Sequence, residues 1–414
     1  MRLPELIHFI GIGGAGMAPL AGMVLVRGVR VTGSDLVLNE KCRELVQAGA
    51  EIFAGHRREN LPEDAELVVF SSAVPEDNPE RRKAAELGIP AMRRGEFLAF
   101  YLSFYRRVAA VSGSHGKSSV TAMLAHILTG CGIEAGFMIG AAVSGNPSAS
   151  VGRGDDIFVT EADESDGTHK LLSPYLGIVP NVDDDHSWSV GGKEALLDNF
   201  RTFASRSRHI LCFAPERALL SSCPDVTVLP LPEKDFVFAG FRGFMALNAR
   251  LAVAAAVLLG CPEEEAVRAV SAFRGVRRRM TLHGNGPGCT VIEDYAHHPA
   301  EVARSLEFLR LTYPDHHLRV VFQPHRYARL EAFFGDFVRI LATADSLFIA
   351  PVFAAWSESG SVDSRQLAES CGAVCLSGAW QADAAVVRTA PHGDKPLLIA
   401  VLGAGDIEEI IPYL

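Results

Sequence analysis

The residues with the clearest chemistry are a lysine and a serine. They lie between a short apolar run and a helical pattern. Val108–Val111 predicts a strand and Ser119–Leu128 predicts a helix. Lys117 can reach the β- and γ-phosphates of a nucleotide, and the Ser118 hydroxyl can bind Mg²⁺. Small residues leave backbone amides available to an anion at the helix N-terminus. The sequence therefore predicts ATP binding by a short Gly-x-x-Gly-Lys-Ser loop that comprises Gly113, Ser114, His115, Gly116, Lys117, Ser118 and Ser119.

Acidic residues follow two further apolar runs and predict a magnesium site. Glu161 ends the predicted strand Ile157–Glu161, and His186 lies shortly after the predicted strand Leu176–Asn181. Because parallel α/β sheets bind ligands at the carboxyl ends of their strands, both segments are expected beside the phosphate loop. Mg²⁺ prefers hard oxygen ligands and keeps several waters. We expect Ser118 and Glu161 as ligands, with His186 either a further ligand or a hydrogen-bond donor behind one.

A second glycine-rich turn lies near the N-terminus. The predicted strand Ile7–Ile10 leads into Gly-x-Gly-x-x-Gly at Gly11–Gly16, and Asp35 follows about 20 residues later. These glycines are typical of a tight turn that lets a pyrophosphate approach the backbone. The loop indicates NAD, with Asp35 on the ribose, or another nucleotide diphosphate such as a UDP-sugar. The alternative is that the glycines only pack a helix on a strand.

Histidines and arginines gather after two predicted strands in the last third of the chain, Thr290–Asp294 and Arg319–Gln323. The planar fork of arginine matches the geometry of carboxylate and phosphate groups. Two such turns at strand ends predict an anion-binding site, although a histidine pair in a turn is often structural. The two turns are Asp294–Pro299 and Gln323–Arg329, and Arg277–Arg279 lies just upstream of them.

Alternation of short apolar runs with helical patterns predicts an α/β protein with largely parallel sheets. We expect three domains: an N-terminal Rossmann-like domain (1–104), a central P-loop ATPase-like domain (105–280) and a C-terminal Rossmann-like domain (281–414). Further strands are predicted at Val29–Thr32, Leu67–Ser71, Ser346–Ala350 and Leu397–Leu402, and a helix at Ala246–Leu259.

Composition narrows the class of protein. The 39 basic and 49 acidic residues give a formal net charge of −10, which disfavours a nucleic-acid partner. Eight scattered cysteines form no metal-binding pair, and we expect buried free thiols in a reducing compartment. The sequence shows no signal peptide and no apolar stretch of about 18 residues. We therefore expect a cytoplasmic protein without membrane insertion.

Taken together, the motifs resemble the Mur ligase family. The resemblance extends from residue 8 to residue 407 and implies three domains, for a UDP-sugar, ATP and an amino acid. It implies an ATP-dependent amide ligase of peptidoglycan synthesis that phosphorylates the carboxylate of UDP-N-acetylmuramate and joins it to L-alanine, as a monomer or weak homodimer. The motifs occur in the family's order as HFIGIGGAGM, TGSDL, AGH, SSAVPEDNPE, SGSHGKSS, EADESD, NVDDDH, FRGVRRR, EDYAHHPAEV, FQPHRYAR and GAGDI.

The same resemblance implies roles for individual residues. The UDP moiety would be surrounded by Gly11, Gly13, Gly14, Ala15, Gly16, Met17, Ser34, Asp35, His56, Ser71 and Ser72. The triphosphate would be held by Lys117, Ser118 and Ser119, the magnesium ions by Glu161 and His186, and the nucleotide also by Arg279 and Asp294. The reacting carboxylate and the amino acid would contact His297, His325, Arg326 and Arg329. Catalysis would depend on Lys117, His297, Arg326 and Arg329, with His297 the first candidate for the base.

The chain departs from the family pattern mainly in its central part. It is shorter between about residues 202 and 244, and Gly243–Asn248 lacks the usual His-Asn pair at the nucleotide. Trp188 and the turn at 355–358 also differ from the family. These differences leave open how adenine is recognised and whether glycine or serine replaces alanine. A nicotinamide oxidoreductase and a non-catalytic UDP-sugar-binding relative are the alternatives from other classes.

Overall fold

The computed structural model describes residues 2–143, 147–183, 190–232, 236–286, 289–355 and 359–414. The chain forms two compact units, one of Met1–Pro232 with Asn248–Phe273 and the other of Glu233–Leu247 with Arg274–Leu414. The first unit contains two mostly parallel sheets and the second contains a third such sheet. This confirms the α/β class. The domain boundaries near residues 104 and 280 stay a prediction.

The first sheet is a five-stranded parallel sheet of order β3-β2-β1-β4-β5. The central strand β1 is buried along its whole length. The chain adds β2 and β3 on one side of β1 and then returns to add β4 and β5 on the other side. A crevice at such a reversal is where open α/β sheets bind ligands. The elements are β1 (Leu6–Ile10), α1 (Met17–Val26), β2 (Arg30–Asp35), α2 (Glu40–Gln47), β3 (Glu51–Ala54), β4 (Leu67–Phe70), α3 (Pro79–Leu87), β5 (Ala91–Arg93) and α4 (Arg94–Leu102).

The second sheet has seven strands in the order β12-β11-β10-β6-β9-β7-β8, with only the β7–β8 pair antiparallel. Strand β6 lies at its centre and leads directly into the phosphate loop. The elements are β6 (Arg107–Val111), α5 (Lys117–Gly130), β7 (Gly136–Met138), β8 (Ala149–Ser150), β9 (Ile157–Glu161), a 3₁₀ turn (Thr168–Leu171), β10 (Leu176–Val179), α6 (Lys193–Arg206), β11 (His209–Phe213), a 3₁₀ turn (Ala214–Glu216) and β12 (Val226–Leu229).

The third sheet has the order β15-β16-β20-β17-β18-β19 and is parallel except for its first pair. A small hairpin and two helices precede it: β13 (Val237–Phe238), β14 (Phe241–Arg242), α7 (Gly243–Leu258) and α8 (Glu263–Ser271). Its elements are β15 (Thr281–Gly286), β16 (Cys289–Asp294), α9 (Pro299–Thr312), β17 (His317–Phe322), α10 (Tyr327–Ala332), α11 (Phe334–Leu341), β18 (Ser346–Ile349), α12 (Ser364–Cys371), β19 (Val374–Cys375), α13 (Trp380–Thr389), β20 (Leu397–Leu402) and a 3₁₀ segment (Ile407–Tyr413).

The two sheets of the first unit are held together by an aromatic and ionic cluster. Arg27 at the end of α1 donates hydrogen bonds to the hydroxyl groups of Tyr101 and Tyr105, and it forms an ion pair with Asp155 at 2.6 Å. The Tyr105 ring packs against Phe158 of the second sheet, with ring centroids 4.7 Å apart. Arg27 therefore fixes one sheet against the other through two buried tyrosines and the exposed Asp155.

The expectation that every cysteine is a free thiol is wrong for one pair. Cys131, at the end of α5, forms a disulfide with Cys261, and their Cα atoms are 6.1 Å apart. The two residues are separated by 130 positions, so their spacing in the sequence gives no sign of the pairing. The other six cysteines are free thiols; Cys42, Cys212 and Cys223 are buried as expected, whereas Cys289 and Cys371 are half-buried and Cys375 is exposed.

No helix within the ranges that the structure describes is long and apolar enough to cross a membrane.

Candidate active site

The phosphate loop is fixed by the segment that follows β10. Ser114 and His115 donate their backbone amides to the carbonyl and side-chain oxygens of Asn181, at 3.2 and 2.9 Å. Gly113 has a φ of +154°, and a Cβ at this position would lie 2.7 Å from the Asn181 carbonyl oxygen. Only glycine therefore permits this close approach. The loop ends at Gly116, where α5 begins, so the amides of the first turn of α5 have no partner within the helix.

Lys117 is held by a buried carboxylate. Its ammonium donates to Glu164 at 3.0 Å and to the carbonyl oxygen of Gly113 at 2.8 Å. The Glu164 side chain is completely buried. Burial lowers the pKa of Lys117, but the negative charges of Glu164 and Asp163 outweigh it, so the pKa of Lys117 lies above its ordinary value. Burial raises the pKa of Glu164 to about 7 although Lys117 opposes the shift. Lys117 is therefore a cation when a triphosphate arrives.

Two oxygen ligands suited to Mg²⁺ meet beside this lysine. The Ser118 hydroxyl donates to the Glu161 carboxylate at 3.1 Å, and the second Glu161 oxygen accepts the amide of Gly140 at 2.6 Å. A hydroxyl and a carboxylate are hard ligands, and Mg²⁺ needs few protein groups when phosphates and waters complete its shell. These two residues fit the ion. No cluster of three or more His, Cys, Asp or Glu side chains in the described part of the chain could hold a metal, and His186 lies outside the described residues.

The glycine loop after β1 is closed by Asp35. The Asp35 carboxylate accepts the backbone amide of Gly13 at 2.8 Å, and Gly11 has a φ of +78°. Gly11 also approaches Ser71, since a Cβ there would lie 3.3 Å from the Ser71 Cβ. Asp35 is thus engaged by the loop itself. This favours a structural role for Asp35 over the ribose contact that a nicotinamide cofactor would require.

A buried carboxylate that the sequence reasoning missed organises the polar residues near this loop. Glu80, at the start of α3, accepts hydrogen bonds from the Ser34 hydroxyl at 2.6 Å and from the Asn60 amide at 3.1 Å. His8 lies 2.9 Å from it, and the Ser34 hydroxyl also contacts Nδ1 of His56 at 2.9 Å. Glu80 therefore positions Ser34 and His56, two of the expected UDP-binding residues.

The remaining residues expected around the UDP moiety lie along the same loop and the end of β4. Gly14 is half-buried and donates its amide to the Gly11 carbonyl oxygen at 3.2 Å, while Ala15 is exposed. Gly16 precedes α1, whose first residue, Met17, is buried. Ser72 is exposed at the end of β4, next to Ser71.

Asp294 and the arginines that precede β15 form one polar cluster of the second unit. The buried Asp294 carboxylate accepts the amides of Met280 and Ala296, each at 2.9 Å, and burial raises its pKa to about 6. Arg278 and Arg279 lie on the Tyr295 ring, 5.0 and 5.1 Å from its centroid. Arg278 also donates to the carbonyl oxygens of Gly403 and Gly405. Arg278 is therefore structural, and ligand binding by Arg279 stays a prediction.

The four residues expected at the carboxylate and amino acid lie together after β16 and β17. The rings of His297 and His325 are 5.5 Å apart, and Arg329 contacts Nδ1 of His325 at 3.2 Å. Arg326 has a φ of +69°, which is rare for a residue with a side chain and is typical of strain at functional sites. Burial lowers the pKa of His325 to about 3, so this ring stays neutral beside the two arginines.

His297 has the geometry of a neutral base. Its Nδ1 donates to the Tyr295 carbonyl oxygen at 3.0 Å and lies 3.2 Å from the Glu301 carboxylate. Burial lowers the pKa of His297 below its ordinary value; Glu301 raises it and Arg329 lowers it further. Because Nδ1 carries the proton, Nε2 presents its lone pair and can accept a proton from a ligand.

Asn248, on α7, is a second residue that sequence reasoning passed over. Its side-chain oxygen would lie 2.6 Å from a Cβ at Gly116, and its buried Nδ2 has no hydrogen-bond partner in the described residues. Phe244, in the segment that lacks the family's His-Asn pair, packs against Phe308 with ring centroids 5.4 Å apart. Asn248 therefore supplies an amide donor at the phosphate loop. The departures at Trp188 and 356–358 lie outside the described residues.

Comparison with known proteins gives consistent results along the chain. The model of the Mur ligase family, catalytic domain, matches residues 6–106, and that of the Mur ligase, glutamate ligase domain, matches residues 278–405. A UDP-N-acetylmuramate–L-alanine ligase of Acidithiobacillus ferrooxidans is 36% identical, over 98% of this chain and 96% of its own. The corresponding ligase of Aquifex aeolicus is 35% identical, over 97% and 95%.

Solved structures share the fold. A UDP-N-acetylmuramate–alanine ligase from Thermotoga maritima superposes with a TM-score of 0.80 at 24% identity and covers 99% of this chain and 98% of its own. A murein peptide ligase from Psychrobacter arcticus gives a TM-score of 0.68 at 23% identity, with coverages of 99% and 98%.

Proposed function

The chain belongs to the Mur ligase family, and we propose that it joins L-alanine to the carboxylate of UDP-N-acetylmuramate while ATP is converted to ADP and phosphate. The observation that carries the proposal is the phosphate loop, where a cationic Lys117 lies beside the Ser118–Glu161 pair. A nicotinamide oxidoreductase has no use for these three residues. Relatives that are 34–37% identical over most of their length carry the same activity in their names.

The first step activates a poor electrophile. A carboxylate oxygen of the muramate attacks the γ-phosphorus of ATP, the bond from that phosphorus to the bridging oxygen breaks, and ADP leaves. Lys117 and the amides of the first turn of α5 bind the triphosphate and offset the charge that develops on the transferred phosphoryl group. Ser118 and Glu161 would hold Mg²⁺, which when bound neutralises phosphoryl charge.

The second step forms the amide. The alanine amine attacks the acyl carbon, and the tetrahedral intermediate expels phosphate, which leaves with one oxygen of the original carboxylate. The amine must lose a proton, and Nε2 of His297 is the acceptor because Nδ1 is committed to the Tyr295 carbonyl oxygen. Arg326 and Arg329 bind carboxylate and phosphoryl oxygens through their guanidinium groups, and His325 stays neutral between them.

The UDP moiety is assigned to the glycine loop after β1. The diphosphate is assigned to the backbone amides of Ala15 and Gly16 at the N-terminus of α1, because the amides of Gly13 and Gly14 already donate to Asp35 and Gly11. Ser34 and His56, held by Glu80, bind the nucleoside side of the ligand. The amide group of Asn248 contributes to ATP recognition in place of the missing His-Asn pair. Arg279 and Asp294 stay predicted nucleotide-binding residues.

We also propose the compartment, the oligomeric state and the partners of the enzyme. The enzyme acts in the cytoplasm as a monomer or weak homodimer, with no nucleic-acid partner, and its ATP requires Mg²⁺. The three-domain division near residues 104 and 280 is retained, with one domain for each of the three substrates.

An isotope experiment tests the proposed chemistry. UDP-N-acetylmuramate labelled with ¹⁸O in its carboxylate is incubated with ATP, Mg²⁺ and L-alanine, and the phosphate produced is analysed by mass spectrometry. An acyl-phosphate route transfers one labelled oxygen to each phosphate. Unlabelled phosphate formed together with the amide product would contradict it.

A further inference from the structure

Arg94 lies directly on the glycine loop that is assigned to the UDP diphosphate. It is the first residue of α4, after β5. A Cβ on Gly16 would lie 2.9 Å from Cδ of Arg94 and 3.3 Å from both Nε and Nη1. Gly16 therefore makes room for this arginine. The side of Arg94 formed by Cδ, Nε and Nη1 lies against this loop, so the Nη1 amino group is next to the backbone amides that are to bind the diphosphate.

The other nitrogen of the same guanidinium is bound to the second sheet. Nη2 of Arg94 forms an ion pair with Asp166 and contacts the Thr168 hydroxyl at 3.4 Å. The second oxygen of Asp166 accepts the backbone amide of Thr168 at 2.9 Å. The Gly95 backbone also approaches the Thr168 side chain closely here, since a Cβ on Gly95 would lie 2.5 Å from the Thr168 hydroxyl. Arg94 thus contacts two different ligand loops with two edges of one planar group.

The loop that contains Asp166 also carries the residues that prepare the ATP site. Glu161, which pairs with Ser118, ends β9, and Glu164, which holds Lys117, lies between it and Asp166. A change in the position of Asp166 is therefore transmitted over a few residues to the metal ligand and to the partner of the lysine.

From this arrangement we infer that Arg94 is a positioning residue that couples the two nucleotide sites. Its Nη1 group binds the diphosphate of the UDP substrate, while Nη2 holds the acidic loop of the ATP site through Asp166. The inference rests on the proposed function, because it takes the UDP substrate and ATP as the two ligands. It assigns to Arg94 a link between the UDP-substrate site and the ATP site. The contacts of either ligand with its own loop do not provide this link.

The coupling between the UDP-substrate site and the ATP site is positive. The guanidinium has donors for both loops at once, so the diphosphate and Asp166 do not compete for it. Each ligand orders the arginine or the loop that the other ligand needs, and the second ligand then loses less conformational freedom on binding. The effect is reciprocal by thermodynamic necessity. Each nucleotide therefore increases the affinity for the other.

A neighbouring ion pair provides a matched control. Arg27 and Asp155 also join the first sheet to the second, at 2.6 Å, but neither contacts the glycine loop or the acidic loop. If tethering of the two sheets were all that mattered, loss of either pair would have the same effect. The coupling that we infer depends on the Arg94–Asp166 pair alone.

The test is a binding cycle by isothermal titration calorimetry without L-alanine. UDP-N-acetylmuramate is titrated into the full-length protein alone and into protein saturated with Mg²⁺ and a non-hydrolysable ATP analogue. The ratio of the two Kd values is the coupling factor. We expect at least about a five-fold factor in the wild type and in Asp155→Asn, and a factor of about one in Asp166→Asn and Arg94→Lys. Asp166→Asn keeps Arg94, so its Kd without nucleotide stays close to the wild-type value.

The outcomes separate the inference from the proposed function. A wild-type factor of about one with both ligands bound, an unchanged factor in Asp166→Asn, or an equal loss in Asp155→Asn would each overturn the coupling role. Failure of the wild type to bind UDP-N-acetylmuramate at all would instead overturn the proposed function. Arg94→Lys adds an independent readout, because lysine lacks the planar fork and should weaken the Kd without nucleotide as well.

Discussion

The ammonium of Lys117 lies 3.0 Å from one oxygen of Glu164 and 2.8 Å from the other, and Glu164 is completely buried. Removal of one partner leaves a buried group without its counter-ion, which costs about 3 kcal/mol, whereas neutralisation of both is much less costly. We expect Lys117→Met to lower the free energy of unfolding by about that amount and Lys117→Met with Glu164→Gln to recover most of it. Chemical denaturation measures both.

The double variant should recover stability without recovering the rate of phosphate release. Both variants lack the cation at the phosphates, so neither should release phosphate at a measurable rate above background. A single variant as stable as the wild type, or a double variant that regains turnover, would contradict the assigned role of Lys117.

The Ser118–Glu161 contact predicts how the enzyme responds to magnesium. Ser118→Ala removes one of the two oxygen ligands and the hydrogen bond that orients the other. We expect the Mg²⁺ concentration for half-maximal rate to rise at least about tenfold, with activity partly recovered at high Mg²⁺. Thr129→Ala, which removes a hydroxyl from the last turn of the same helix, is the control and should leave the Mg²⁺ titration unchanged. An unaltered titration in Ser118→Ala would place the metal elsewhere.

The pH dependence of the reaction should report His297. Glu301 raises the pKa of this histidine against the larger effect of burial and the opposing charge of Arg329. Loss of the carboxylate therefore lowers the pKa further, and the acid limb of the kcat/KM profile should move to lower pH in Glu301→Gln. Glutamine can still form the capping box at the start of α9. Glu307→Gln, on an exposed position of the same helix, should leave the profile in place.

A shift of the acid limb to higher pH in Glu301→Gln, or no shift, would exclude His297 as the base. His325 cannot replace it as the titrating group, because its pKa of about 3 lies far below the working range.

Glu80 links stability to binding in the first sheet. Burial alone would raise its pKa, but hydrogen bonds from His8 and Ser34 outweigh it and the pKa lies below its ordinary value. A carboxylate whose pKa is lower in the folded protein than in the unfolded chain stabilises the fold at pH values above the pKa it has in the unfolded chain. This stabilisation is lost as the pH falls through the pKa that the group has in the folded protein. We expect Glu80→Gln to cost about 2 kcal/mol at pH 7 and less in acid.

The same substitution should weaken UDP-N-acetylmuramate binding, since Ser34 and His56 lose their shared partner. Glu86→Gln, on the exposed side of α3, is the matched control for both measurements. Equal stability of Glu80→Gln and the wild type at pH 7, together with unchanged affinity, would show that the network is not needed.

Thiol counting tests the disulfide. Cys131–Cys261 joins the end of α5 to the third residue after α7, so six of the eight thiols should react in denatured protein without reductant and all eight after reduction. Eight reactive thiols without reductant would contradict the pairing.

The sequence allowed the loops of the site to be predicted because their chemistry is local. Glycines, a lysine and carboxylates at strand ends mark the phosphate and metal loops, and buried strands such as β6 and β20 read as unbroken apolar runs. Short edge strands such as β3 and β5 were missed, because they are only partly buried and carry little pattern.

Residues that act across long sequence separations could not be recognised in this way. Glu80 and Arg94 sit in ordinary helical starts, and only the fold brings them to Ser34 and Gly16. Asn248 appears as a plain helical residue until its side chain is seen against Gly116. The choice between Arg278 and Arg279 likewise depends on which one the fold places on the Gly403 carbonyl.

The central claim is that this protein forms an amide between UDP-N-acetylmuramate and L-alanine at the expense of ATP. The most direct test measures phosphate release from ATP and Mg²⁺ with UDP-N-acetylmuramate, in the presence and absence of alanine, glycine or serine. We expect release that requires both the sugar nucleotide and L-alanine. No release in any combination, from protein that still binds the sugar nucleotide, would contradict the claim and identify a binding protein, and release with glycine or serine but not alanine would contradict the assigned specificity.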